Sequence, residues 1–127
     1  MISNKILIIG LGRIGKHFLR IFITKNSIQT IYVNDLNKNI ENHIYLLNYD
    51  NIYGLREKRF IKKDEKTIFD TKTNKKIIFC ELTNKNINKF LFIVDSTGAK
   101  KVLDKISNYK SKVFVTNSSE YKIDKFL

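Results

Sequence analysis

The residues with the clearest chemical pattern in this chain are three glycines near its amino terminus. Gly10, Gly12 and Gly15 are spaced G-x-G-x-x-G within the run KILIIGLGRIGKHFLR. An aliphatic segment precedes them and a helix-like pattern follows, so the N–H groups that open the helix can receive a diphosphate. Asp35 lies twenty residues after Gly15, where a carboxylate can accept hydrogen bonds from ribose hydroxyls and repel a 2′-phosphate. The spacing therefore predicts a dinucleotide site with NAD, rather than NADP, as its cofactor.

Each glycine has its own role in this interpretation. Gly10 makes a tight turn that would strain a side chain, and Gly12 lets the backbone approach the diphosphate. Gly15 lets the helix pack closely against the strand. A turn whose glycines serve only packing, in a fold that binds nothing, would have the same spacing, and that alternative stays open.

Alternating strands and helices must position these residues. The aliphatic run Ile6–Ile9 is typical of a strand buried on both faces of a parallel sheet. Helical spacing of apolar residues then predicts a helix that ends near Lys25, and Ile31–Val33 reads as a second strand. A short second helix is predicted over Ile40–Leu47. Strand, helix, strand, helix predicts an α/β fold of the Rossmann type, with a doubly wound and mostly parallel sheet.

The middle of the chain departs from that alternation. Short β-prone segments separated by polar turns predict a small antiparallel insertion around residues 58–80. Its expected strands are Arg59–Ile61, Thr67–Asp70 and Lys76–Cys80. Alternation then returns, with a strand at Phe90–Val94, a helix from about Ala99 to Asn108 and a last strand at Lys112–Val115. We expect one domain over residues 1–127, because no linker interrupts the pattern.

Charge and composition limit the classes of function. The 127 residues carry 24 basic and 12 acidic side chains, for a net charge of +12. The lysines are spread along the chain and arginine occurs only four times, so we interpret the charge mainly as a solvated surface. A binder of nucleic acid or of an anionic surface is a less favoured alternative, since no basic helix interleaved with aromatic residues supports it.

The cysteine count and the hydropathy predict where the protein works. A single cysteine forms no internal disulfide, and such a composition suits a reducing compartment. The opening residues lack a signal-peptide layout, and no apolar run is long enough to span a bilayer. We therefore expect a cytoplasmic protein without membrane association.

Six segments, in order along the chain, together resemble the NAD-binding domain of phosphorylating glyceraldehyde-3-phosphate dehydrogenase. The glycine run resembles that family's opening Asn-Gly-Phe-Gly-Arg-Ile-Gly-Arg, with Ile9 and Leu11 in place of Asn and Phe. The other matching segments are IYVNDL (31–36), YLLNYDNIYG (45–54), Ile77–Glu81, VDSTGA (94–99) and VFVTNSS (113–119). The resemblance implies the same fold and NAD as the cofactor.

The resemblance also implies roles for individual residues. Backbone N–H groups of Arg13 and Ile14 would face the diphosphate, and Asn34 and Asp35 would lie on the adenosine side. The Thr-Asn-Ser-Ser run from Thr116 would either meet the nicotinamide ribose or form an ordinary polar turn. The implied cofactor-binding residues are Gly10, Gly12, Arg13, Ile14, Gly15, Asn34, Asp35, Ser96, Thr97, Gly98 and Thr116.

The catalytic residues of that family are not matched. Its Ser-Cys-Thr-Thr-Asn motif does not occur in this sequence. The single cysteine, Cys80, stands at the end of a predicted strand, and the resemblance implies that it lies opposite the adenine side. We interpret Cys80 as structural, and His17 and His43 as helix-surface or packing residues. No catalytic residue and no metal site are expected.

We therefore expect an NAD-binding domain without dehydrogenase activity of its own. The alternative is one half of a split aldehyde-phosphate oxidoreductase, completed in trans by a catalytic polypeptide. In the resembling family a carboxyl-terminal helix packs on the nucleotide domain. We therefore expect a homo-oligomer or a protein partner to cover the corresponding face here.

Overall fold

A computed structural model of the chain describes residues 5–49, 58–81, 89–90, 92–96 and 113–116, the last four by their backbone alone. Seven strands and two helices lie in these ranges. In chain order they are β1 (Ile6–Ile9), α1 (Arg13–Ile23), β2 (Thr30–Asn34), α2 (Ile40–Tyr49), β3 (Phe60–Asp64), β4 (Thr67–Asp70), β5 (Lys75–Phe79), β6 (Phe92–Asp95) and β7 (Val113–Thr116). The helix expected from about Ala99 to Asn108 lies outside the described residues.

All seven strands belong to one sheet, in the order β3-β4-β5-β2-β1-β6-β7. β1 pairs in parallel with β2 and β6, β2 with β5, and β6 with β7. β3, β4 and β5 pair antiparallel. The chain thus leaves central β1 on one side and later returns to its other side. Such a reversal opens a crevice outside the carboxyl ends of the strands, and the Rossmann-type prediction is confirmed.

Burial explains why these segments form strands and helices. All four side chains of β1 are buried, as expected for a central strand covered on both faces. On α1 the buried residues recur at helical spacing, at Gly15, Leu19, Phe22 and Ile23. One apolar cluster joins both helices to the sheet. Neither helix is long and apolar enough to cross a membrane, within the part of the chain that the structure describes.

The antiparallel insertion is present, but its first strand is longer than expected. The residues after Ile61 are Lys62, Lys63 and Asp64, whose charges suggested a turn, yet they continue β3. β3 is the outermost strand of the described sheet, so these side chains point to solvent while the backbone still pairs with β4. Lysines on an outer strand also discourage pairing with another chain.

A buried ion pair joins Arg59, the residue before β3, to Asp70, the last residue of β4. The Asp70 side chain is fully buried and accepts two hydrogen bonds from Arg59, at 2.7 and 2.9 Å. Asp70 also accepts hydrogen bonds from the Thr73 hydroxyl and the Lys72 N–H group. Burial is the largest single influence on the pKa of Asp70 and would raise it, but these hydrogen bonds together outweigh it. The pKa of Asp70 therefore lies below its usual value.

We expect Asp70→Asn to lower the free energy of unfolding by about 3 kcal/mol at pH 7, because Arg59 would keep a buried charge without its counterion. A lowered carboxyl pKa stabilises the fold above the unfolded-state pKa of about 3.9, and that stability is lost as the pH falls through the folded-state pKa. The difference from wild type should therefore shrink below about pH 4. Urea unfolding at several pH values measures it.

The matched control is Glu81→Gln. Glu81 forms an ion pair with Lys38, and its side chain is 71% exposed. The effect of this substitution should stay under about 1 kcal/mol, as for other exposed ion pairs. A deficit of Asp70→Asn that stays constant down to pH 3 would show that the Asp70 charge does not stabilise the fold.

Candidate functional site

The glycine loop leaves the carboxyl end of β1 and is held from both sides. Gly10 has φ of 87°, a conformation that side chains rarely adopt, so a glycine is required at this turn. The Gly10 N–H group donates to the Asn34 carbonyl at the end of β2 (2.7 Å). On the other side, the Ser96 N–H group donates to the Ile9 carbonyl (2.9 Å). The loop therefore sits between the ends of two neighbouring strands.

Gly15 brings the first turn of α1 directly against this loop. A Cβ atom at Gly15 would lie 2.0 Å from the Gly10 carbonyl oxygen and 3.0 Å from the Ser96 hydroxyl. At Gly12 a Cβ would meet nothing within 4 Å. Gly15 is thus required by packing, whereas the space beside Gly12 is open.

The start of α1 leaves hydrogen-bond donors facing that open space. Gly12 precedes the helix, makes no side-chain cap, and its carbonyl accepts the Lys16 N–H group (2.9 Å). By helix geometry, the N–H groups of Arg13, Ile14 and Gly15 have no acceptor within the helix. The first turn carries no acidic residue, so no side chain of the helix itself offsets the positive end of its dipole. This arrangement suits an anion.

Asp35 ties the glycine loop to the end of β2. Its Oδ2 accepts the Leu11 N–H group at 2.7 Å, and its Oδ1 accepts the Asn37 N–H group at 2.8 Å. The side chain is 17% exposed. A carboxylate has about four acceptor positions, so these two bonds leave about two for hydroxyl groups of a ligand.

A cavity of about 160 Å³ opens beside Asp35. Ile40 and Phe79 give it apolar walls, and the exposed ion pair of Lys38 with Glu81 (3.1 Å) lies at its edge. Pockets for drug-sized ligands are typically about 300–1,000 Å³, so this cavity has room for a single ring system. The cavity lies at the carboxyl ends of β2 and β5, on the same edge of the sheet as the glycine loop.

Two of the residues expected to contact a cofactor hold the frame of this site. The Asn34 side chain donates to the Cys80 carbonyl (2.9 Å), and the Cys80 N–H group donates to the Val33 carbonyl (2.9 Å), which fastens β2 to β5. The Ser96 hydroxyl lies within hydrogen-bond distance of the Ile9 and Gly10 carbonyls and shares its one proton between them. These side chains fasten neighbouring strand ends to each other at this edge of the sheet.

The other expected site residues fall into two groups. Six lie together at this edge or in the first turn of α1: Gly10, Gly12, Arg13, Ile14, Gly15 and Asp35. Thr97 and Gly98 lie outside the described residues, and Thr116 ends β7 with only its backbone described.

His43 was interpreted as a helix-surface or packing residue, and the structure buries it beside the site. Its side chain is 4% exposed, and its ring lies 4.9 Å from the ring of Phe79, which lines the cavity. Nε2 lies 2.8 Å from the Asn37 carbonyl oxygen and 3.9 Å from Asp35 Oδ1. The spacing of Ile40, His43 and Leu47 along one helix face was the sequence signal for this burial.

Cys80 borders the cavity but is poorly suited to act as a nucleophile. Burial raises the pKa of the Cys80 thiol and the Glu81 carboxylate raises it further, while Lys38 acts in the opposite direction. Nucleophilic cysteines need a lowered pKa. No group of three or more His, Cys, Asp or Glu side chains suited to a metal ion occurs among the residues described.

We expect Gly15→Ala to be destabilised by at least about 2 kcal/mol more than Gly12→Ala, because the new methyl group would overlap the Gly10 carbonyl. Gly12→Ala should stay within about 1 kcal/mol of wild type, since its methyl group enters open space and only cap preference changes. Chemical denaturation of both variants measures the difference. Equal stabilities would mean that helix and loop are not in close contact.

Comparison with known proteins agrees with this geometry. The NAD-binding domain of glyceraldehyde 3-phosphate dehydrogenase matches residues 4–103 as a family, and that family's cofactor is the NAD expected from the sequence. The glyceraldehyde-3-phosphate dehydrogenase of Mycoplasma pneumoniae is 31% identical over 98 residues, which cover 74% of this chain and 28% of the relative. The cytosolic enzyme of Taxus baccata is 30% identical and covers 94% of this chain and 42% of the relative.

The chain thus spans less than half the length of these relatives. Among solved structures, a lactate dehydrogenase from a Medee basin deep-sea metagenome library matches 92% of this chain and 38% of its own, with a TM-score of 0.56 and 15% identity. At that identity the likeness shows the fold alone. A family match over most of the chain, joined to a glycine loop and an aspartate at one edge of a Rossmann sheet, shows that this chain belongs to the glyceraldehyde 3-phosphate dehydrogenase NAD-binding domain family.

Proposed function

We propose that residues 1–127 act as one NAD-binding domain, with the cofactor bound across the carboxyl edge of the sheet. The observation that carries this proposal is the position of Asp35, whose carboxylate bonds to the glycine loop and borders the neighbouring cavity. The diphosphate would lie on the loop, the adenosine ribose on Asp35 and the adenine ring in the cavity.

The diphosphate would be held by backbone rather than by side chains. The N–H groups that open α1 point along the helix axis, where the helix dipole favours negative charge. Open space beside Gly12 lets the phosphate oxygens approach the main chain. Arg13 adds a nearby positive charge on the exposed side of the same turn.

Charges around the cavity support NAD over NADP. Three carboxylates line it (Asp35, Glu65 and Glu81), against two ammonium groups (Lys38 and Lys66). A 2′-phosphate would bring negative charge into a site that already carries a net negative charge. The ribose of NAD offers hydroxyl donors instead, and these suit the remaining acceptor positions of Asp35.

We further propose that the domain supplies the cofactor half of a reaction and does not catalyse it alone. Support comes from Cys80, the single cysteine, because burial raises the pKa of its thiol. The buried histidine of the site, His43, hydrogen-bonds to the Asn37 carbonyl instead. In the alternative form of this proposal, a separate catalytic polypeptide completes an aldehyde-phosphate oxidoreductase.

The two forms differ in one assay. Mixing this chain with a separately expressed catalytic domain of a relative should generate NAD reduction with an aldehyde phosphate only if the chain works as a subunit. A homo-oligomer, or a protein partner in its place, remains part of the proposal, and sedimentation of the purified chain tests it.

We expect NAD to raise the melting temperature by roughly 10 °C at a hundredfold excess over its dissociation constant, because ligand binding to the folded state adds about 2.7 kcal/mol. NADP at the same concentration should raise it much less. In Asp35→Asn the affinity for NAD should fall at least about tenfold, since hydrogen bonds to a charged acceptor are worth about 1.5–3 kcal/mol.

The matched control for Asp35→Asn is Glu41→Gln, because Glu41 is an exposed carboxylate that pairs with Lys62 and does not line the cavity. It should bind NAD like wild type. Failure of NAD to shift the melting temperature of the wild-type chain at millimolar concentration would refute the proposed function.

Cys80 gives an independent test of the cofactor position and of the missing nucleophile. We expect iodoacetamide to alkylate Cys80 at least about tenfold more slowly than it alkylates glutathione at pH 7.5, because little thiolate is present. Saturating NAD should slow the reaction further, since Cys80 lines the cavity that adenine would fill. Alkylation faster than that of glutathione would instead indicate an activated thiolate.

A further inference from the structure

We propose that His43 is a positioning residue for the cofactor: it fixes the loop that carries Asp35, and so holds the Asp35 carboxylate in place before a ligand arrives. This inference rests on the proposed function and adds to it a residue that does not touch the ligand. His43 lies on α2 with its side chain buried, behind the loop rather than inside the cavity.

The hydrogen bond of the His43 imidazole identifies the ring nitrogen that carries the proton. Nε2 is 2.8 Å from the Asn37 carbonyl oxygen. A carbonyl oxygen only accepts, so Nε2 must carry the proton and donate it. Nδ1 is buried and has no hydrogen-bond partner within the described residues. The ring therefore makes one directed contact, and that contact is with the Asp35 loop.

That single contact reaches Asp35 through Asn37. The Asn37 carbonyl accepts from His43, while its N–H group donates to Asp35 Oδ1 at 2.8 Å. Asp35 Oδ2 in turn accepts the N–H group of Leu11 in the glycine loop at 2.7 Å. One continuous chain of hydrogen bonds thus joins the core side of α2 to the loop proposed to hold the diphosphate.

The loop also has hydrogen bonds within itself and to the exposed side of α2, including one from the Asn37 side-chain amide to Asn42 Oδ1 at 2.9 Å. The Asn39 N–H group donates to the Asn37 side chain, and the Asn42 N–H group donates to the Asn39 side chain. His43 is the buried residue that adds a contact from beneath the loop. Its ring also packs on Phe79, so the same residue supports both the carboxylate and the cavity wall.

A purely packing role for His43 would need only its ring, and this difference makes the inference testable. Glutamine places its amide nitrogen about where Nε2 lies, whereas asparagine is one methylene shorter and falls short of Asn37. The variants His43→Gln and His43→Asn are therefore matched in polarity and differ in reach. His43→Phe keeps the ring and removes the donor.

The first measurement needs no ligand. Amide hydrogen exchange at Leu11 and Asn37, whose N–H groups both donate to Asp35, should accelerate at least about tenfold in His43→Asn and His43→Phe relative to amides of β1. In His43→Gln it should stay near the wild-type rate. Loss of packing alone would accelerate exchange through the core and would not separate Gln from Asn.

The second measurement uses three ligands of the folded variants: NAD, AMP and nicotinamide mononucleotide. We expect His43→Asn to lower the affinities for NAD and AMP by the same factor, about tenfold. The affinity for nicotinamide mononucleotide should stay unchanged, because only the adenosine half would meet Asp35. His43→Gln should restore NAD affinity to within about threefold. His17→Phe, which changes the exposed histidine of α1, should bind all three like wild type.

The possible results separate the two proposals. Wild-type exchange at Leu11 and Asn37 in His43→Asn overturns the inference about His43, whatever the ligand data. Unchanged NAD affinity in His43→Asn despite faster exchange also overturns it, because the loop would then not need to be held in advance. If the wild-type chain fails to bind NAD, the proposed function is lost, and the exchange data still decide whether His43 holds the loop.

Discussion

The hydrogen bond from the Leu11 N–H group to Asp35 Oδ2 is the contact on which this site depends. It joins two turns that follow different strands, since Leu11 comes after β1 and Asp35 after β2. Parallel pairing of β1 with β2 brings both turns to the same edge, and the carboxylate then fixes their separation. The loop that we propose for the diphosphate and the carboxylate that we propose for the ribose are thereby held at one distance from each other.

The neighbouring contacts serve the same edge. Asn34 bonds β2 to the end of β5, and Ser96 bonds the end of β6 to Gly10 of the glycine loop. Each of these polar side chains is partly buried and therefore needs its partner, because an unpaired polar group away from water costs about 1–3 kcal/mol. Four strand ends are consequently fastened together where the ligand is proposed to lie. Hydrogen bonds that hold a site in place lower the ordering cost of binding a ligand there.

The sequence predicted the elements better than it predicted the contacts between them. The glycine spacing, the aliphatic run of β1 and the distance to Asp35 are local patterns, and each led to the observed element. The extension of β3 through Lys62 and Lys63 was missed because an outer strand can pair through its backbone while its side chains remain charged. The pairing of Arg59 with Asp70 depends on the register of two antiparallel strands, and periodicity alone does not specify register. His43 was interpreted only as a helix-surface or packing residue, and its partner Asn37 could be identified only from the folded loop.

The family match and the site geometry lead to one physical claim, that the loop from Gly10 to Gly15 receives the diphosphate of NAD. An NMR titration of the isotopically labelled chain with NAD tests this claim most directly. We expect the largest amide shifts at Gly12, Arg13 and Ile14, with further shifts around Asp35 and little change at β3. Shifts concentrated on the exposed lysines of β3, with the glycine loop unaffected, would contradict the claim, because they would indicate nonspecific attraction of an anion to a basic surface.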